Sequence, residues 1–153
     1  MRYLLYREQQ LCTDIETAWA FFSSPSNLSV LTPPEMKFKV RSELEEGGIY
    51  EGMLIDYNVT PLLGIPMKWQ TEITKVMPLV CFTDYQRKGP YKLWNHQHHF
   101  AENEDGVRMT DIIDYELPFG LLGDWVHRLL VKQKLETIFD FRFQVLEKEF
   151  NKK

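Results

Sequence analysis

The densest group of chemically capable side chains lies between residues 94 and 115. The run Trp94-Asn-His96-Gln-His98-His-Phe100 reads as a strand, and a period of two puts Trp94, His96, His98 and Phe100 on one face. Asn95, Gln97 and His99 share the other. The run from Val107 to Leu117 repeats the pattern: Val107, Met109, Asp111, Ile113, Tyr115 and Leu117 on one face, Arg108, Thr110, Asp114 and Glu116 opposite, with Ile112 the exception. Glu-Asn-Glu-Asp-Gly between the runs marks a hairpin. The apolar face of that hairpin therefore carries His96, His98, Asp111 and Tyr115. The expected pairing sets His96 against Asp111, Phe100 against Val107 and His98 against Met109.

Buried histidine, aspartate and tyrosine are costly unless hydrogen-bonded, which leaves three uses for the set. The groups form a structural network, in which Asp111 holds a histidine tautomer and Tyr115 reaches a carbonyl. Alternatively they orient the polar end of a bound molecule. His-x-His plus a carboxylate is also a chemically feasible facial triad, but the pair is a weak signal and no fourth protein ligand is evident, so neither a metal nor another cofactor is expected. Asp84 and Gln86 share a parity with Phe82, yet Leu79, Cys81 and Tyr85 form an equally apolar alternative, so which set points inward stays open. Tyr57 and Trp69 read as core aromatics. His127 and Arg128 read as exposed or snorkelling. Nothing resembles a nucleophile elbow, a phosphate loop or an HExxH helix.

The elements that must hold these residues follow from periodicity. Residues 2–11 read as a strand with Tyr3, Leu5 and Leu11 on one parity. Thr13-x-x-Glu16 reads as a capping box opening a helix whose buried face is Ile15, Ala18, Trp19 and Phe22. Ser24-Pro25 opens a second short helix over 25–31, ended by Pro33-Pro34. Strands follow over 37–43, 50–59, 68–76, 80–88, 91–101 and 107–117. Residues 60–67 read as a Pro/Gly-punctuated connection and mobile rim carrying Leu62, Leu63 and Ile65. From about Leu121 to Phe150 good helix formers dominate, with Leu135, Phe139, Phe143, Leu146 and Phe150 as the apolar stripe. A helix that long and apolar lies against the sheet. The fold class is α+β: a curved antiparallel sheet of six to seven strands gripping one long C-terminal helix, with two short helices after the first strand.

Composition agrees with one globular domain over residues 1–153. Hydrophobic residues make up 44% of the 153-residue chain and charged ones 26%, which excludes a disordered or fibrous chain. A net charge of −4 gives no electrostatic reason to expect nucleic acid. No stretch approaches the ~20 apolar residues of a membrane span, and the N-terminal apolar run is too short for a signal peptide. Cys12 and Cys81 form no C-x-x-C pair and read as buried free thiols of a cytoplasmic protein. Nothing in the sequence speaks to oligomeric state.

Three stretches resemble the START/SRPBCC superfamily, the helix-grip fold shared with plant pollen-allergen proteins and polyketide cyclases. They are Phe21 to Pro34; Phe82-x-Asp84-x-Gln86-x-x-Gly89-Pro90-Tyr91-x-x-Trp94-x-His96-x-His98-x-Phe100; and Asp111-x-x-x-Tyr115-x-x-Pro118-x-Gly120 with the helical Phe139-Asp-Phe-Arg142. The subgroup resembled is a set of uncharacterised bacterial ligand-binding proteins. Some ring-hydroxylating oxygenases share the grip and keep a two-histidine, one-carboxylate iron site, but His96, His98 and Asp111 do not match that spacing and the Rieske-type cysteines are missing. The resemblance implies a cavity between sheet and long helix, and one fold hosts many functions. The leading expectation is a module binding a small apolar molecule, aromatic or lipid-like. Tyr57, Trp69, Trp94 and Phe139 would give apolar contact, and Asp84, His96, His98, Asp111 and Tyr115 would stand at the polar end. The alternatives are a cyclase or dehydratase using a pocket histidine as general base, and a protein-interaction module acting through the 60–67 loop.

Overall fold

The computed structural model describes residues 1–43 and 47–152. Seven strands form one antiparallel sheet: β1 (Arg2–Leu11), β2 (Lys39–Val40), β3 (Leu54–Leu62), β4 (Ile65–Met77), β5 (Cys81–Lys88), β6 (Leu93–Asn103) and β7 (Gly106–Glu116). Their order is β1-β7-β6-β5-β4-β3-β2, a meander whose last strand receives the first along its edge. Helix α1 (Ile15–Phe22) follows β1. Leu11, Ile15, Ala18 and Phe22 pack with Phe82, Phe100, Val107, Met109 and Leu146 into one dry cluster. A second cluster joins Trp69, Trp94, Ile113 and Tyr115 of the sheet to Val131, Leu135 and Phe139 of the C-terminal helix. Sheet and long helix thus grip each other as the α+β reading requires.

Several local expectations are corrected. The cap of α1 is Asp14, not Thr13: its carboxylate accepts from the Thr17 backbone N–H at 2.7 Å and from the Thr17 hydroxyl at 2.8 Å, a stronger charge-assisted cap. The second short helix is a single 3₁₀ turn at Pro25–Leu28, and Pro34–Met36 begins another. The strand expected over 37–43 shrinks to Lys39–Val40, and residues 50–53 form a turn before β3. Residues 60–67 belong mostly to a hairpin. β3 runs on to Leu62, β4 starts at Ile65, and only Leu63 and Gly64 turn, at φ 52° and 69°. Two positive φ values match the twist of the flanking strands, so the turn closes tightly instead of looping out. Leu63 and Ile65 are exposed; the Leu62 side chain lies outside the described residues. Cys12 is exposed and Cys81 buried, both free.

The hairpin β6–β7 closes between Asn103 and Gly106, which shifts its register by two residues from the expected one. His98 faces Asp111, His96 faces Ile113, and Phe100 faces Met109. A shift of two keeps every side chain on its face. Gly106 sits at φ +123° with the Leu11 carbonyl 2.2 Å from where a Cβ would stand, so only glycine fits between this turn and the end of β1.

The C-terminal helix is one run in three parts: α2 (Gly120–Val126), a π-helical turn (His127–Val131) and α3 (Lys132–Phe150). Its buried positions are Gly123, His127, Val131, Leu135 and Phe139, then Arg142 and Leu146. From Gly123 to Leu135 the chain advances twelve residues, which an unbroken α-helix would carry roughly 120° past three full turns. The wider π turn absorbs that excess and keeps the buried line straight. Phe143, expected on the buried stripe, is 42% exposed, and Arg142 takes the inward place.

Candidate functional site

Between the inner face of the sheet and the C-terminal helix lies a recess of about 170 Å³. Its walls are largely aromatic. Tyr57 stacks on Trp69 at 5.8 Å, Trp69 meets Trp94 edge-on at 5.6 Å, and Tyr91 lies 4.7 Å from Trp94. Phe38, Phe82, Leu135, Ile138 and Phe139 also line it. Tyr57, Trp69, Phe82 and Trp94 come from inward positions of β3, β4, β5 and β6, which is why the period-two pattern places them together. The indole N–H of Trp69 is buried without a hydrogen-bond partner.

Asp84, His96, His98 and Arg142 form the titratable cluster of the lining, which also carries Ser24, Asn27, Thr32 and Thr71. Register explains the cluster: Asp84 of β5 faces His96 of β6, and His98 faces Asp111 of β7. His98 lies between two carboxylates, with Nε2 2.8 Å from Asp84 Oδ2 and Nδ1 3.0 Å from Asp111 Oδ1. His96 sets Nε2 2.8 Å from that same Asp111 oxygen and Nδ1 3.9 Å from Asp84 Oδ2. Behind them Arg142 reaches Asp111 through Nη2 at 3.3 Å and Nε at 3.2 Å. His98 Nδ1 and Arg142 Nε are off the line of a hydrogen bond, so charge as well as aligned bonding holds them. The rings of His96 and His98 are 3.8 Å apart, and Phe82 stacks on His98 at 4.2 Å.

The charges settle accordingly. Burial would raise the Asp111 carboxyl, but the Arg142 charge and the two histidines hold it well below the usual range. Burial likewise opposes ionisation of Asp84, and His96, His98 and Arg142 outweigh it, so its pKa is lowered. For His98 burial favours the neutral ring, yet the bonds to Asp111 and Asp84 prevail and its pKa is raised. His96 goes the other way: burial and the neighbouring His98 charge lower it despite Asp84 and Asp111. A proton on His98 balances the two carboxylates and the one guanidinium, which is why the raised pKa falls on the ring between the carboxylates.

Of the residues singled out from the sequence, Tyr57, Trp69, Asp84, Trp94, His96, His98 and Phe139 line the recess. Asp111 stands behind the histidines, and Tyr115 is drawn elsewhere. Its hydroxyl pairs with His127 Nε2 at 2.8 Å, and burial pushes the phenol up to about 12. His127 is 5% exposed and stacks on Tyr3 at 3.5 Å, so it is neither exposed nor snorkelling; burial lowers its pKa. The π turn brings its ring under the sheet. The parity of β5 is settled, with Phe82, Asp84 and Gln86 inward. Arg142 entered the sequence reading only as the end of the Phe139-Asp-Phe-Arg142 motif and was given no place in the site. Its signal was the 4-3-4 spacing of Leu135, Phe139, Arg142 and Leu146, masked by the adjacent Phe143.

Three solved structures show how widely the architecture is shared. A Chromobacterium violaceum protein matches with a TM-score of 0.71 at 11% identity, covering 99% of both chains. Major latex-like protein 151 from Panax ginseng matches at 0.70 and 15% identity over 98% of both. A Thermus thermophilus protein matches at 0.66 and 19% over 95% of both. At such identities the likeness establishes the helix-grip fold alone. No protein-family model and no curated protein sequence matches the chain.

Proposed function

We propose that the chain is a START/SRPBCC-like ligand-binding domain of the cytoplasm, and that it holds a small apolar molecule in the recess between sheet and C-terminal helix. The observation that carries this reading is the composition of the recess: aromatic walls, one cluster of titratable groups and an unpaired buried indole N–H. Concave apolar sites with a few convergent polar groups are the usual form of small-molecule pockets. A dry cavity of about 150 Å³ accommodates benzene, so the 170 Å³ recess by itself suits one or two rings, and an apolar groove of about 340 Å³ that shares Pro61, Tyr91, Leu135 and Ile138 with it gives room for an apolar tail. Trp69 Nε1 asks for an acceptor on that molecule, and Asp84, the most open member of the polar patch at 17% side-chain exposure, asks for a donor. A phenolic aromatic offers both. Among the described residues, no helix is long and apolar enough to cross a membrane.

The test is titration with 2-naphthol followed by tryptophan fluorescence, together with native mass spectrometry of the purified protein. Saturable quenching that Trp69→Leu weakens, or a co-purifying small aromatic, is the expected result. No saturable quenching and a clean mass spectrum would sink the reading.

A further inference from the structure

We propose that Asp84, His96 and His98 form a site for a divalent first-row transition-metal ion, with Asp84 Oδ2, His96 Nδ1 and His98 Nε2 as its ligand atoms. One ligand atom from each of these residues lies within 4.8 Å of the other two. Asp84 Oδ2 is 2.8 Å from His98 Nε2 and 3.9 Å from His96 Nδ1. Ligands about 2.1 Å from one ion stand roughly 3.0–3.4 Å apart, so small side-chain rotations bring all three onto one centre.

What separates this arrangement from a chance group of polar residues is the far side of the rings. A metal-binding imidazole characteristically gives its other N–H to a carboxylate, which fixes the tautomer and aims the free lone pair. Here one oxygen of Asp111 lies 2.8 Å from His96 Nε2 and 3.0 Å from His98 Nδ1. His96 directs its distal Nε2–H at Asp111 and leaves Nδ1 on the Asp84 side; His98 Nδ1 lies beside the same oxygen, held there by charge, and its aligned Nε2–H to Asp84 is the proton an ion would displace. Arg142 in turn anchors Asp111 from the helix. The expectation of no metal rested on the weakness of a two-histidine signal and on the lack of a fourth protein ligand. The strand pairing makes Asp84 the third ligand and Asp111 the support.

Two imidazoles and one carboxylate suit Fe²⁺, Co²⁺ or Zn²⁺ rather than Mg²⁺ or Ca²⁺, which prefer all-oxygen shells. Three protein ligands leave coordination positions open toward the recess. With neutral histidines, a divalent ion, two carboxylates and Arg142 leave one net positive charge, so an anionic oxygen such as a phenolate fits the open position. That last step rests on the recess binding an aromatic molecule; the ion itself does not.

The experiment uses Co²⁺ alone, added to the chelator-treated full chain and followed by visible absorption and calorimetry. One equivalent should bind with ligand-field bands. Asp84→Asn and His98→Gln should each weaken binding by more than the roughly 10–100-fold that losing a supporting carboxylate costs, the loss expected for Asp111→Asn. His99→Gln, on the outer face beside Gln97, should bind as the parent does. Near-UV circular dichroism reports folding of each variant; if His98→Gln fails to fold, the near-isosteric Asp84→Asn decides. Absence of stoichiometric uptake by the parent, or equal uptake by Asp84→Asn, overturns the proposal. Because no aromatic ligand is present, failure here leaves the 2-naphthol result standing, and the reverse holds.

Discussion

Strand β6 runs through two interiors of opposite character. Phe100 sits in the dry cluster with Val107, Met109 and Leu146. Two and four residues earlier, His98 and His96 sit among Asp84, Asp111 and Arg142. The burial is nearly the same, with 5% exposure for Phe100, 3% for His98 and 7% for His96. What differs is what each side chain asks of its neighbours. The dry cluster asks for volume, which several apolar side chains can supply. The polar cluster asks for partners at fixed positions, because an unpaired buried charge is expensive. The first fails gradually; the second fails when one member is lost.

The largest effect should come from removing the hub. Asp111→Ala leaves Arg142 and both histidines without their shared carboxylate, and the expected loss is about 3–5 kcal/mol, as for other broken buried ion pairs. Urea denaturation measures it; a loss below about 1 kcal/mol would mean the cluster is wetter than its geometry implies. In the dry cluster Met109→Leu keeps volume and should cost less than about 1.5 kcal/mol. If the same melts show it costing as much as Asp111→Ala, the contrast between the two interiors fails.

The finest test is pH. In chelator-treated protein, the raised pKa of His98 adds stability below the ordinary histidine value near 6.5, and this is lost as pH rises through the folded pKa. The lowered pKa of His96 has the reverse sign: on acidification the unfolded chain takes its proton first, and stability falls. Asp84 and Asp111 face both rings, Arg142 stands against Asp111, and Arg7, opposite Asp111 in the β1–β7 register, makes its ion pair with Asp140. Between pH 8 and 5.5, His98→Gln should therefore make the loss of stability steeper and His96→Gln should make it shallower. Urea midpoints at the two pH values read both slopes, and equal slopes would show that the rings share their proton evenly.

Faces were legible in the sequence and registers were not. Period two put His96, His98 and Asp111 inward because their strand neighbours are apolar, and a two-residue slip at the β6–β7 turn left that intact. The slip still changed the roles. Asp111 became the partner of His98 directly and of His96 diagonally, and Asp84 entered beside both. The parity of β5 could not be read because Cys81 and Phe82 are both buried. Arg142 could not be read because a buried charge makes sense only once its carboxylate is in place. His127 was hidden by the π turn, since a regular α period gives no reason to turn that ring inward.

The π turn also bears on how the length of this chain can vary. Gly123 and Leu135 are held in line by one residue more than three α turns need: eleven residues would complete them within about 20°. Losing a single residue between His127 and Val131 would return the segment to α pitch with α2 and α3 still facing as they do. The same loss a turn later would swing everything before it by roughly 100°. Shorter relatives of this chain are therefore expected to carry their gap at this turn, giving up the His127–Tyr115 pair and leaving the Asp111 cluster untouched.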